Sequence, residues 1–183
     1  MAEVTVSSEK PAYGFMERRV KDPSHKLVAV ELVPPLNADD EKLLDAAHIL
    51  KNAEVDVVTF PDSPSGRTRA DSVLMAEKIR LETGLCVMPH ICCRDKNAIA
   101  IRSTILGASL NHITNFLLLT GDPVPVLFRQ TTKSVFNFDS VGMMKIVQEM
   151  YARGFEFVPI DIYRAKAKIC LLYTSDAADD LTR

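Results

Sequence analysis

The chain has 183 residues, of which 47% are hydrophobic and 25% charged, and its formal net charge is −2. This composition is ordinary for a soluble globular protein and gives no strong attraction to nucleic acid or to an anionic membrane surface. No apolar run approaches the roughly 20 residues that span a bilayer, and the polar N-terminus lacks the apolar core of a signal peptide. Four cysteines without regular spacing suit reduced thiols, so we expect a cytoplasmic α/β protein.

Strands and helices are predicted to alternate along the chain. Residues 1–25 read as a leader with a short helix around 15–20, and residues 26–169 read as the folded unit. Apolar runs predict strands over 27–33, 55–59, 85–90 and 113–119, with a fifth beginning at 155–160. Helical spacing predicts a helix capped by Asn37 or Asp39, then helices over about 70–83, 96–110 and 139–153, with a long loop over 120–138.

The strands are apolar on both faces and recur about every 30 residues, which is typical of a parallel sheet covered by helices. An open doubly wound sheet and a (β/α)8 barrel both fit this pattern. Pro34-Pro35 stands where a dinucleotide-binding sheet has its glycine-rich turn. A barrel collects polar strand ends at one mouth, as Glu31, Thr59, His90 and Asp122 would be. We therefore predict a (β/α)8 TIM barrel.

The length is short of the roughly 250 residues of a complete barrel, so we expect only the first four to five βα units. Residues 170–180 resemble the translation of a transposase adapter used in sequencing libraries, although a natural polar tail is the alternative. On the first reading, residues 170–183 are not native. We expect such a partial barrel, with its open sheet edges, to be poorly stable and to have little activity.

Glu31 is the most informative residue, because a carboxylate in an apolar strand is costly to desolvate unless it is paired or used. A structural ion pair with a buried Arg or Lys is one reading. The other is a general acid, which near neutral pH requires a raised pKa. In the fourth strand end, Gly121 would allow backbone to approach a flat cofactor, and Asp122 could hydrogen-bond a heterocycle.

Four segments together resemble the methylenetetrahydrofolate reductase family, and most of all the reductase half that some bacteria fuse to a homocysteine methyltransferase. The segments are Val30–Pro35, His90–Asp95, Leu118–Pro123 and Ser134–Ser140, and the resemblance spans roughly residues 26–150. It implies a flavin-bearing barrel of methionine biosynthesis, in which FAD takes hydride from NAD(P)H and passes it to 5,10-methylenetetrahydrofolate, yielding 5-methyltetrahydrofolate.

The resemblance also implies residue roles. Glu31 matches the general acid that helps to open the folate's five-membered ring to an iminium. Asp122 matches an aspartate near the flavin and pterin, which tunes the flavin and favours the developing cation. Thr59, His90, Thr120 and Gly121 match flavin-contacting positions. A homo-oligomer is possible for the complete protein, and a methyltransferase is its expected fusion or working partner.

Other readings stay open at the level of sequence. The segment 65–68 could bind a phosphate or could simply start a capped helix, so a barrel enzyme acting on a phosphorylated substrate is an alternative. A non-catalytic ligand-binding barrel fragment is another. We expect no metal site, because adjacent Cys92 and Cys93 point to opposite faces of a strand and no Cys-x-x-Cys pair supports them.

Overall fold

Four parallel strands form one sheet in the computed structural model, which describes residues 14–152. The strands are β1 Ala29–Glu31, β2 Val57–Phe60, β3 Val87–Cys92 and β4 Leu117–Leu119. The helices are α1 Glu17–Lys21, α2 Glu41–Asn52, α3 Ser72–Thr83, α4 Ala98–Leu110 and α5 Ser140–Ala152. The predicted strand at 155–160 and the segment 170–183 lie outside the described residues.

The strands are adjacent in chain order, β1-β2-β3-β4, and every pairing is parallel. A doubly wound sheet would reverse its strand order at a switch point, whereas a (β/α)8 barrel keeps neighbours in sequence. The observed order therefore confirms the predicted α/β class and agrees with an arc of a barrel.

Helices cover one face of this sheet, which we call the outer face. Val58, Phe60 and Val87 pack there against α2 and α3. Ile91 packs in a second cluster with α4 and α5, which contribute Ile101, Ile105, Met143, Ile146 and Met150. Burial of such side chains, at about 1.5–3 kcal/mol each, is the main force that holds the helices on the sheet.

The predicted helices are present, and two of them begin two residues later than predicted. Helix α3 begins at Ser72 and not near residue 70, because the Asp71 carboxylate accepts the N–H groups of Val73 and Leu74. Helix α4 begins at Ala98, capped by Asn97, and not at residue 96. Gly84 ends α3 in the left-handed conformation at φ +68°, as predicted.

The strands differ more from expectation. Strand β3 runs two residues further than predicted, to Cys92, so His90 lies inside the strand and not at its end. Strands β1 and β4 are only three residues long, and the β1 residues Ala29 and Glu31 are exposed rather than buried. The apolar runs overstated strand length because they continue past the residues in register with a neighbour, which are Ala29–Glu31 in β1 and Leu117–Leu119 in β4.

The segment before β1 is attached to the N-terminal end of the sheet through Asp56. The Asp56 carboxylate is 1% exposed and accepts hydrogen bonds from His25 Nε2 at 2.9 Å and from the Val28 N–H at 2.8 Å. Arg18 Nη1 lies 3.7 Å from the same carboxylate and donates to the Glu54 carbonyl. At this end of the sheet, the buried Asp56 carboxylate therefore has hydrogen-bond partners and serves a structural role.

Replacing Asp56 with alanine should lower the free energy of unfolding by about 3 kcal/mol, because it leaves the Val28 N–H, His25 and Arg18 without their acceptor. Urea unfolding at neutral pH measures the change. Asp45→Ala, on the exposed side of α2, is the matched control and should change stability by less than about 0.5 kcal/mol. Equal effects for the two variants would contradict a structural role for Asp56.

Candidate active site

The pairing register puts polar side chains from different strands on the face opposite the helices, which we call the inner face. Glu31 pairs with Thr59, and Thr59 pairs with Met88. Residues in register on parallel strands point to the same side, and alternate residues along one strand share that side. Glu31, Thr59 and His90 therefore share the inner face, toward the carboxyl ends of the strands.

Glu31 has no hydrogen-bond or ion-pair partner within residues 14–152. The alternative that Glu31 forms a structural ion pair with a buried Arg or Lys is therefore not observed in the described part of the chain. Glu31 remains in contact with solvent. Surrounding protein atoms nevertheless remove part of its hydration, and this desolvation raises its pKa above the ordinary value of 4.5. The direction of this shift is the one that a general acid requires.

His90 is buried, and its Nε2 atom makes no hydrogen bond to any described residue. Burial lowers the pKa of His90 from 6.5 to about 4, although the negative charge of Asp62 opposes the shift. The imidazole is therefore neutral at physiological pH and offers one ring nitrogen to a ligand. A buried polar atom without a partner is rare in native proteins and indicates an absent partner.

Asp62 is a charged residue near His90 that was not identified from the sequence. Its carboxylate accepts the Cys92 N–H at 3.0 Å and pairs with Lys96 Nζ at 2.6 Å. Burial would lower the pKa of Lys96, but the Asp62 contact outweighs it and the pKa is raised. A signal was available, because Asp62 comes two residues after β2, where barrel enzymes place functional groups. The proline-rich surroundings of Asp62 read only as a turn.

Gly121 lies against the end of β3 in the left-handed region, at φ +93°. A Cβ atom at this position would stand 2.8 Å from Cys92 Cβ and 3.3 Å from Arg94 Cβ. Only glycine fits this approach without displacing its neighbours. The glycine therefore sets the path of the chain into Asp122.

The two residues that flank Gly121 have different surroundings. The Asp122 carboxylate accepts the Ser65 N–H at 2.7 Å, so it is fixed against the loop that follows β2. The Thr120 hydroxyl accepts the N–H of Ser140, at the start of α5, at 3.2 Å. Thr120 thus uses its side chain on the helix side of the sheet, and only its backbone is available to a ligand on the inner face.

The loop at 65–68 does not have the geometry of a phosphate site. Helix α3 starts at Ser72, so the loop is not its N-terminus, and the Asp71 side chain already binds the first N–H groups. The Ser65 N–H is bound by a carboxylate, whose charge would repel a phosphate. Neither reading made for this loop, phosphate site or capped helix start, describes it.

The cysteines at the end of β3 serve packing. Cys93 is buried in the α4–α5 cluster, and its thiol donates to the carbonyl oxygens of Thr120 and Phe138. Burial, together with Asp62, raises the pKa of Cys92 to about 12, which keeps this thiol protonated. Within residues 14–152 no group of three or more His, Cys, Asp or Glu side chains is arranged to hold a metal ion.

A parallel α/β sheet with an acid, a hydroxyl and an imidazole toward its carboxyl edge has the layout of an α/β-barrel enzyme. The profile of one family, methylenetetrahydrofolate reductase, matches residues 16–165. The chain therefore belongs to the methylenetetrahydrofolate reductase family, as its motifs predicted. The family is one of oxidoreductases that act on a folate, and its fold is the (β/α)8 barrel, of which the described sheet supplies four consecutive strands.

Other comparisons add little. No curated protein gave a significant match. Among solved structures, the carboxyl transferase domain of Rhizobium etli pyruvate carboxylase with pyruvate is 18% identical with a TM-score of 0.39, and the match covers 78% of this chain and 28% of that one. The same domain with 3-bromopyruvate gives 18% identity, a TM-score of 0.40, and coverage of 78% and 27%. Likenesses this low carry no argument about function.

None of the helices found within residues 14–152 is long and apolar enough to cross a membrane.

Neutral His90 should make the protein sensitive to acid. Its pKa is about 4 when folded and 6.5 as a free group, so the unfolded chain binds more protons between these values and stability falls as pH drops from 6.5 toward 4. His90→Gln removes this titrating group. The free energy of unfolding of the variant should therefore fall by about 2 kcal/mol less than that of the parent between pH 7 and pH 5. Urea unfolding at both pH values measures it.

His48→Gln, on the exposed side of α2, is the control for the His90 variant and should keep the parent's acid sensitivity. If His90→Gln retains that sensitivity too, the buried imidazole is not neutral and the assignment is wrong.

Gly121→Ala should destabilise the protein by about 2 kcal/mol or more, because it combines a positive φ with a Cβ 2.8 Å from Cys92. Thermal or urea unfolding measures the loss. Gly107→Ala is the matched control: this helical glycine in α4 has no atom within 4 Å of the added Cβ, so alanine should stabilise by about 0.5–1 kcal/mol. A neutral Gly121→Ala variant would show that the close approach is not required.

Proposed function

We propose that the protein reduces 5,10-methylenetetrahydrofolate to 5-methyltetrahydrofolate with NAD(P)H and FAD. One observation carries the proposal beyond family membership. The inner face holds the buried His90 Nε2, which lacks a partner within residues 14–152, together with the Thr59 hydroxyl and the solvent-exposed Glu31 carboxylate. A buried polar atom without a partner, on the same face as other polar groups, is typical of a ligand site.

The residues present fit a flavin. His90 Nε2 is a buried group able to bond a heterocycle, and Gly121 brings backbone onto the end of β3 without a side chain. FAD, when bound, would supply the hydride chemistry by accepting hydride from NAD(P)H and delivering it to the folate. His90, Thr59 and Gly121, with the backbone of Thr120, are the proposed cofactor contacts.

Glu31 is the proposed general acid. Opening the five-membered ring of the folate to an iminium requires a proton on the departing nitrogen. A carboxyl with a raised pKa keeps a larger protonated fraction near neutral pH than an ordinary glutamate does. Glu31 also lacks a partner in the described residues that would hold it in the charged form. It can therefore both carry the proton and release it to substrate.

Asp122 has the complementary role of a fixed negative charge. Its carboxylate is held by the Ser65 N–H at 2.7 Å, and its main-chain carbonyl is held by Arg94. A charge fixed in place before the reaction favours a developing cation without the cost of reorientation. We propose that Asp122 stabilises the iminium in this way.

The experiment uses the complete protein, purified and examined for a flavin absorbance spectrum, with the two half-reactions followed separately. Glu31→Gln should keep reduction of the flavin by NAD(P)H and lose at least about 100-fold in folate reduction. In the parent, the folate step should slow as pH rises through the pKa of Glu31, because the protonated carboxyl is the active form. The residual rate of Glu31→Gln should lack this slope.

Glu82→Gln, exposed on α3, is the control and should match the parent in both half-reactions. Survival of both half-reactions in Glu31→Gln would disprove the role of Glu31. A purified complete protein that binds no flavin would contradict the proposed function and would favour the non-catalytic ligand-binding barrel.

A further inference from the structure

A buried arginine just beyond β3 bonds to two loops at once. Arg94 is 2% exposed. Its Nη1 atom donates to the main-chain carbonyl oxygen of Ser63 at 3.1 Å and to that of Asp122 at 3.3 Å. Because Nη1 carries two hydrogens, this one nitrogen can serve both carbonyls.

The rest of the Arg94 guanidinium is also engaged. Nε lies 2.9 and 3.0 Å from the two carboxylate oxygens of Asp95, and Nη2 lies 2.6 Å from Oδ2. This bidentate pair balances the buried charge. The main-chain carbonyl of Arg94 accepts the N–H of Val135 at 2.7 Å. Arg94 is therefore committed to contacts within the protein and is not presented to a ligand.

The two loops that Arg94 joins also touch each other directly. One is residues 61–71, between β2 and α3, and the other is residues 120–139, between β4 and α5. The Ser65 N–H binds the Asp122 carboxylate. A Cβ on Gly66 would lie 2.8 Å from Pro125 Cδ and 2.9 Å from the Pro123 carbonyl oxygen, so the loops are in close backbone contact. Ser63 adopts φ +48°, which a non-glycine residue holds only when its surroundings impose it.

We propose that Arg94 is a positioning residue for Asp122, a role that rests on the function proposed above. Arg94 fixes the main chain of Asp122. Arg94 also holds the loop of residues 61–71, which supplies the Ser65 N–H that fixes the Asp122 carboxylate. The guanidinium fork is required for this. A lysine keeps the charge, but its single nitrogen cannot bind both carbonyls and both Asp95 oxygens.

Hydrogen exchange tests the positioning without reference to activity. In the complete protein, Arg94→Lys should raise the exchange rate of the Ser65 and Val135 amides by about tenfold or more, because the contacts that hold the two loops are weakened. Arg102→Lys is the matched control, since Arg102 pairs with Glu149 on exposed helix surfaces, and it should leave both amides protected. Unchanged protection in Arg94→Lys would overturn the proposal.

A second variant keeps the proposal testable if Arg94→Lys fails to fold. Asp122→Ala removes the carboxylate and leaves the main-chain carbonyl that Arg94 binds. The Ser65 amide should then exchange about tenfold faster while Val135 stays protected. Equal loss of protection at both amides would show that the carboxylate, and not Arg94, holds the loop in place.

A double-mutant cycle separates positioning from a general structural role. Arg94→Lys and Asp122→Asn should each slow the folate half-reaction by about tenfold or more, and the double variant should lie within about threefold of Asp122→Asn alone. Fully multiplicative effects would mean that Arg94 does not act through Asp122. If the parent has no reductase activity, the proposed function fails, whereas the exchange measurements still decide whether Arg94 positions the loops.

Discussion

The in-register parallel pairing of the strands is the constraint on which the site depends. Glu31 pairs with Thr59 and Thr59 with Met88, so side chains alternate between the inner and outer faces in the same phase across three strands. A slip of one residue would exchange Glu31 with Val30 and turn the carboxylate toward the apolar contacts of α2 and α3. The cost of burying that charge therefore fixes the register. The same register puts Val58 and Phe60 beneath the helices.

The two ends of the sheet treat polar groups in opposite ways. At the N-terminal end, Asp56 is buried and has every partner that it needs. Toward the C-terminal end, the buried His90 Nε2 has no partner within residues 14–152, although an unsatisfied buried polar group costs about 1–3 kcal/mol. A fold that is stabilised at one end of the sheet can tolerate an unsatisfied polar group at the other end. The contrast separates residues that stabilise the barrel from those available to a ligand.

The sequence was sufficient for what depends on local pattern and insufficient for what depends on contacts between loops. Apolar runs, caps and strand-end residues predicted the parallel sheet, the helices and the position of Glu31. They did not show that Thr120 caps α5, that Asp62 binds Lys96, or that Arg94 joins two loops. Each of these contacts links residues 20 or more positions apart, and neither propensity nor periodicity carries information about such pairs.

Glu31 lies on an edge strand of the described sheet, and this position affects how far its pKa is raised. Its carboxylate is still hydrated on one side, so desolvation raises its pKa only in part. A folate lying over the inner face would remove more of that water and raise the pKa further. The Asp122 carboxylate, by contrast, is held in place by the Ser65 N–H at 2.7 Å. In the proposed reaction, substrate binding would thus favour the protonated form of Glu31, which is the form that can deliver a proton when the folate ring opens.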